Sequence, residues 1–298
     1  MNISKACSGL LLGMWLAVAP LALAQSDGYA LPPAQVADYS TILNSKSDSV
    51  VVFDYGGRSA ILIIDFPSLA EQGKMFNRVV ALIERIGAPR QRVLDNTELA
   101  QFIRSIGKTD ATLAYGNDFL IAELVVFFNL ADMAGIQLTA QELALRQLLL
   151  DRRFMAVRNG FFQTTVPHAV ILSIPQESAG SPGSPPVSAL ARRTILMHEI
   201  SHGEYYSNSL YANHCRRFWR EAMTEEQRTA FRKFLSGSSY NPESQEMMVN
   251  ETQAYLLYTP DTRAFNAKLV GLKEQEIEAL RARFLAGFPD APLAELRK

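Results

Sequence analysis

Residues 194–206 read Thr-Ile-Leu-Met-His-Glu-Ile-Ser-His-Gly-Glu-Tyr-Tyr, and no other stretch of the chain limits its fold so tightly. Two of only four histidines in 298 residues, His198 and His202, stand four apart with Glu199 between them. Ile195, Leu196 and Ile200 supply apolar flanks, which suits a helix packed on a core. Helical residues four apart project from one face, so the two imidazoles can grip one metal ion. Glu199 is rotated to the flank of that face, where it can reach a water at the ion without ligating the ion. Such an ion needs a further protein ligand, and the fold must deliver it from elsewhere in the chain. The alternative, two incidental helix histidines, asks nothing of the rest.

The remaining histidines are His168, after Pro167 at a strand start, and His214, in Asn-His-Cys-Arg-Arg-Phe-Trp. Each has an ordinary reading as a packed or surface residue. Residues 246–259 offer a stronger ligand. Set on a helix, Glu251 shares its face with Met247, Met248, Ala254, Tyr255 and Tyr258. A charge on an apolar face is costly unless it is paired or metal-bound. Glu221, Glu225, Glu226, Glu243 and Glu246 lie at helix starts or beside polar neighbours. A buried arginine could pair with Glu251 instead, but only the metal reading accounts for Glu251 and the histidine pair together.

The first 24 residues have the layout of a secretory signal peptide: Lys5, an apolar run from about Leu10 to Leu23, then Ala22-Leu23-Ala24 before Gln25. Cys7 precedes the apolar run, which is poor placement for a lipoprotein anchor. Export and no membrane insertion after cleavage are the expectation, in the periplasm or outside the cell. Only Cys215 then remains, so no intramolecular disulfide can form. The net charge of −1 and the lack of a basic run argue against nucleic acid as a partner.

Residues 25–48 read as a mobile start and a short helix. Residues 50–66 are two β-rich runs around Gly56-Gly57, a hairpin. Ser68 with Glu71, and Thr139 with Glu142, form capping boxes for helices ending near Gly87 and Val157, with another helix over about 97–106. The apolar run 118–135 reads as one central buried helix. Residues 168–175 are a strand, and the Pro, Gly and Ser of 175–186 make a surface loop. From Val187 onward the pattern is helical only. Helices are expected over about 187–207 and 209–222, from Thr224 to about Leu235, from Asn241-Pro242, and after Pro260. The fold class expected is α+β and mostly helical, with a β-containing N-terminal lobe over 25–165 and a helical lobe over 166–298.

The pair His198-Glu199-x-x-His202, followed by a helix with Asn250-Glu251-x-x-Ala254, resembles the gluzincin zinc metallopeptidases. The 49-residue separation from His202 to Glu251 is closer to the pattern of the anthrax lethal factor-like branch than to thermolysin. The metzincin continuation is absent, because Tyr205 and Asn208 stand where it requires glycine and histidine. The resemblance covers about sixty residues. It implies one zinc ion on His198, His202 and Glu251, Glu199 as general base, and a peptide or protein substrate. It also implies a tyrosine as donor to the oxyanion. Tyr205, Tyr206, Tyr240 and Tyr255 are the candidates, and Tyr240 is favoured because its loop leads into the Glu251 helix. Tyr255 occupies the position where thermolysin-like enzymes carry an aspartate, so the groups behind the ligands must differ. Residues 168–175 would be either the strand edging the cleft, as in that family, or an ordinary core strand.

The leader reading predicts a mature N-terminus at Gln25. Intact mass of exported protein checks it, and retention of Lys5 and Cys7 would be the contrary result.

Overall fold

The computed structural model describes residues 28–57, 60–238 and 240–288; the expected leader lies outside the described residues. The fold is α+β and mostly helical. Strand β1 (Gln35–Ala37) and helix α1 (Tyr39–Leu43) come first, so the segment expected to be a mobile start already contributes a strand. The hairpin follows, β2 (Val51–Tyr55) and β3 (Ile61–Phe66), with Val51 opposite Asp65. Next come α2 (Leu69–Ile83), capped by Ser68, and α3 (Asn96–Ser105), capped by Asp95.

The apolar run expected as one helix is two elements, β4 (Asn117–Leu120) and α4 (Ile121–Met133). Glu123 accepts the Leu120 N–H and starts the helix there, which frees the preceding four residues to pair with a distant strand. Helix α5 (Ala140–Asp151), with the Thr139–Glu142 capping box in place, ends short of the expected Val157. Arg153 adopts φ 55°, and the chain turns into the hairpin of β5 (Met155–Arg158) and β6 (Phe161–Thr164). Asn159 and Gly160, both at positive φ, make its two-residue turn.

Strand β7 (Val170–Pro175) leads through the Pro/Gly/Ser loop into α6 (Ala189–Ser207), which carries the histidine pair. Then follow α7 (Ser209–Arg217), a π-helical turn over Phe218–Ala222, and α8 (Glu225–Gly237). Helices α9 (Gln245–Tyr258), α10 (Ala267–Val270) and α11 (Glu274–Gly287) complete the chain. Helix α9 starts at a Ser244 cap, three residues beyond the expected Asn241-Pro242. Among the described residues no helix is long and apolar enough to cross a membrane.

The five-stranded sheet has the order β1-β2-β3-β7-β4, with β7 parallel to β3 and antiparallel to β4. The strand at 168–175 is therefore interior, and the edge position falls to β4. The sheet also draws strands from both sides of the boundary expected at residue 165. Alternation divides the sheet into two faces. Leu62, Ile64, Phe66 and Ile171 join the cluster built on α2, α4 and α5. Ile61, Ile63, Val170, Leu172 and Ile174 face Leu196 and Ile200 of α6. Full burial of β3 and β7 on both faces explains their largely apolar runs, which Asp65 and Ser173 interrupt. Helices α7 to α11 form a third core with Met197 and Tyr205 of α6.

One buried cation fixes α6 on the sheet. The Arg192 guanidinium donates to both Asp65 oxygens at 2.8 and 2.9 Å, to Pro175 O at 2.8 Å, to Leu43 O at 3.0 Å and to Ile42 O at 2.5 Å. Burial pushes the Asp65 carboxyl upward and Arg192 pulls it back, so the pair depends on its full set of partners. Arg192→Met should cost about 3–5 kcal/mol, because it strands a buried carboxylate. Arg192→Met combined with Asp65→Leu should recover much of that loss in urea unfolding. A loss under ~1 kcal/mol for the single variant would show that the pair does not hold the helix.

Candidate metal centre

Helix α6 approaches the sheet closely at Gly203, where a Cβ would meet Ile61 and Leu172 at 3.1–3.3 Å. This contact sets His202 and His198 on the side of α6 that meets α9. Their rings stand edge to face with centroids 4.7 Å apart. Glu251, one face of α9, reaches across: His198 Nε2 lies 3.6 Å from Glu251 Oε2, and His202 Nε2 lies 3.7 Å from Oε1. Ligand atoms about 2.0–2.1 Å from a tetrahedral ion stand about 3.3–3.5 Å from one another, so this spacing suits one ion.

The partners behind the rings decide their tautomers. Thr259 Oγ1 donates its single proton to Ala254 O at 3.0 Å, so it accepts from His198 Nδ1–H at 2.9 Å. Asn250 Oδ1 accepts from His202 Nδ1–H at 2.9 Å and from Gln253 Nε2 at 3.2 Å. Tyr211 in turn donates to Gln253 Oε1 at 2.6 Å, which orients that amide. Both Nε2 lone pairs therefore face the centre, as a metal ligand requires. Burial pushes the His198 imidazole down to about 4 and the His202 imidazole also to about 4, so both are neutral at pH 7.

The acids are driven the other way. Burial raises the Glu251 carboxyl, against the pull of His202, the Tyr240 hydrogen bond and Arg85. Burial and the Glu251 charge raise Glu199 well above the carboxylate range. Glu199 Oε2 and Glu251 Oε2 are buried and lack a hydrogen-bond partner. Neutral imidazoles, unsatisfied carboxylate oxygens and matching separations fit a bound divalent cation. Glu199 leans on Gly116, just before β4, filling the space that a Cβ there would occupy.

Three of the four candidate tyrosines ring this centre. Tyr240 acts against the burial that raises the Glu251 and Tyr255 groups, and burial followed by the Glu251 charge keeps its own phenol protonated. The Tyr255 ring stands edge-on to His198 at 4.8 Å, and Asn250 lowers the Tyr206 phenol against its burial. Tyr205 is turned away: its hydroxyl donates to Glu246 at 2.7 Å, and Arg216 lies over its ring. His168 is exposed. His214 is packed against Phe284 with Nε2 at 3.0 Å from Phe284 O, which leaves it a structural residue.

Sequence reasoning missed Asp118. One of its oxygens, one of Glu199 and a ring nitrogen of His202 all lie within 4.8 Å of one another, forming a second group beside His198–His202–Glu251. Among the described residues these are the two groups that could hold a metal. Burial first, then the charges of Glu199 and Glu251, raise the Asp118 carboxyl well above its ordinary value. It was assigned to a helix start, where an aspartate is unremarkable. Asn117-Asp118-Phe119-Leu120 has no polar–apolar alternation, so the sequence carries no strand signal there. Arg85 was also missed; it spans the site, donating to Leu113 O and, at 3.5 Å, to Ser238 O.

Comparison of the chain with models of known families, with curated proteins and with solved structures finds no match. The geometry predicts that Glu251→Gln lowers affinity for a divalent cation, with zinc as the probe, at least ~100-fold, more than loss of an outer partner would. His168→Ala and His214→Ala should leave it within about twofold. Competition with a chromophoric chelator measures each; full affinity in Glu251→Gln would place the third ligand elsewhere.

Proposed function

We propose that this chain is an exported zinc-dependent peptidase that hydrolyses peptide bonds in proteins or in cell-wall peptides. The observation that carries the reading is the division of labour among three buried groups and the half-buried His198. His198, His202 and Glu251 converge on one point. Glu199 belongs to the same helical turn yet stands outside that triad, grouped with His202 and Asp118. Zinc on the three ligands would lower the pKa of a coordinated water toward ~7 and polarise the scissile carbonyl.

The remaining steps belong to side chains of this chain. Glu199 accepts a proton from the attacking water as the water oxygen bonds to the carbonyl carbon. It then gives that proton to the amine nitrogen as the C–N bond breaks, so the base is restored. The Tyr240 phenol, protonated and beside Glu251, donates to the oxyanion. Edge strand β4 runs next to Glu199 and offers its backbone to an extended peptide, which would add as a further strand. A module that merely binds metal has no use for a buried, unsatisfied Glu199, and this favours catalysis over a purely binding role.

Glu199→Gln keeps the size of the side chain but cannot accept a proton. Zinc content and unfolding midpoint should stay near wild type, while kcat on a cleavable peptide should fall by ~10²–10⁴-fold. Equal rates in the variant and the wild type would assign the activity to another base or to a contaminant. A zinc-loaded wild type that cleaves no member of a diverse peptide library would give the chain a binding role instead.

A further inference from the structure

The two groups around the centre share His202 alone, and this restricts what Asp118 can do. His202 Nδ1 is committed to Asn250, so a single ring nitrogen is free, and one nitrogen cannot serve two ions. Asp118 does not fall within the mutual 4.8 Å of His198, His202 and Glu251, so it stands outside the three-ligand set. It does fall within 4.8 Å of Glu199.

Its position in the sheet shows why. Asn117 and Phe119 point to the α2 face, where Asn117 Nδ2 donates to Ser173 Oγ at 2.7 Å and Phe119 stacks on Phe76. Strand alternation then turns Asp118 to the opposite face, beside its cross-strand neighbour Leu172, which packs under α6. The carboxylate is fixed there by backbone pairing, facing Glu199 from the edge strand.

Two acceptors on one water, each about 2.8 Å from its oxygen at the tetrahedral angle, stand about 4.5 Å apart. The Asp118 and Glu199 oxygens lie within 4.8 Å of each other, a limit that admits a shared water. We propose that Asp118 and Glu199 hold the attacking water between them, Asp118 accepting one O–H while Glu199 takes the other proton. This rests on the hydrolase reading above. Asp118 then keeps the second proton on the water oxygen during attack and points the free lone pair at the carbonyl carbon. That proton stays with the new carboxyl group, so no further acid or base is required. Sitting on β4, Asp118 ties the water to the same strand that would hold the substrate.

The test compares wild type, Asp118→Asn, Glu199→Gln and Glu251→Gln. Asp118→Asn should lower kcat ~10–100-fold with KM within about threefold, because orientation is lost and binding is not. Its zinc affinity by chelator competition should stay within about threefold of wild type. A crystal structure of zinc-loaded wild type should show one water within hydrogen-bond distance of both carboxylates, and that of Asp118→Asn should show it displaced or absent. A zinc affinity reduced ~100-fold in Asp118→Asn, like that of Glu251→Gln, would make Asp118 a ligand and overturn the proposal. A zinc-loaded wild type with no water bridging the two carboxylates would also overturn it, whether or not a substrate had been found. Failure of the hydrolase reading has a different signature: wild type binds no zinc, or Glu199→Gln cleaves at the wild-type rate.

Discussion

The contact on which the rest of the molecule depends is the buried Arg192–Asp65 pair. Its guanidinium joins the end of α1, strand β3, the end of β7 and the first third of α6 in one hydrogen-bonded knot. His198 follows six residues later on the same rigid helix, so the placement of the imidazoles is inherited from Arg192. The planar five-donor fork explains why arginine occupies this position: a lysine could not satisfy a bidentate carboxylate and three carbonyls together. The knot excludes water and leaves α6 no freedom to slide along the sheet.

A second constraint acts at the other end of the turn. Asp118, Glu199 and Glu251 are gathered around two neutral rings, with Arg85 the cation acting on Glu251. Left alone, this is an expensive arrangement, and burial together with mutual charge pushes the carboxyls above their ordinary values. A divalent ion reverses that shift, since a positive charge at the centre favours the ionised acids. The hydrogen bonds that His198 and His202 donate to Thr259 and Asn250 work in the same direction by keeping both Nε2 atoms unprotonated. The site is thus preorganised for a cation by the groups behind the ligands as much as by the ligands.

The parts of this architecture that rest on local chemistry were legible in the sequence. The 3.6-residue period put His198 and His202 on one face, Ser68, Thr139 and Thr224 marked helix starts, and the apolar company of Glu251 betrayed a charge with a buried role. What escaped depends on pairings made across long stretches of chain. Asn117–Leu120 is a strand because β7, some fifty residues away, supplies hydrogen-bond partners, and its residues equally suit the start of the helix that follows. Asp118 and Gly116 were lost with it. The interior place of β7 was invisible for the same reason, since an aliphatic run does not say how many neighbours it has. Asn250 was visible as part of a motif, but its duty toward His202 Nδ1 required the fold.

The strand order carries a consequence for how the molecule comes into being. Strand β7 must enter between β3 and β4, pairing with residues about a hundred positions away in β3 and about fifty away in β4 before the sheet is continuous. Contacts so distant along the chain make folding slow, because the entropy of closure is lost before the pairings form. Helix α6 is made immediately after β7, and α9 lies farther still along the chain, so the ligands meet only when the sheet is closed and the C-terminal helices have docked. Capture of an ion by this group would thereby be a late event, and a truncated or misassembled chain would present scattered histidines with little hold on an ion. The topology would make loading of the centre a checkpoint on completed folding.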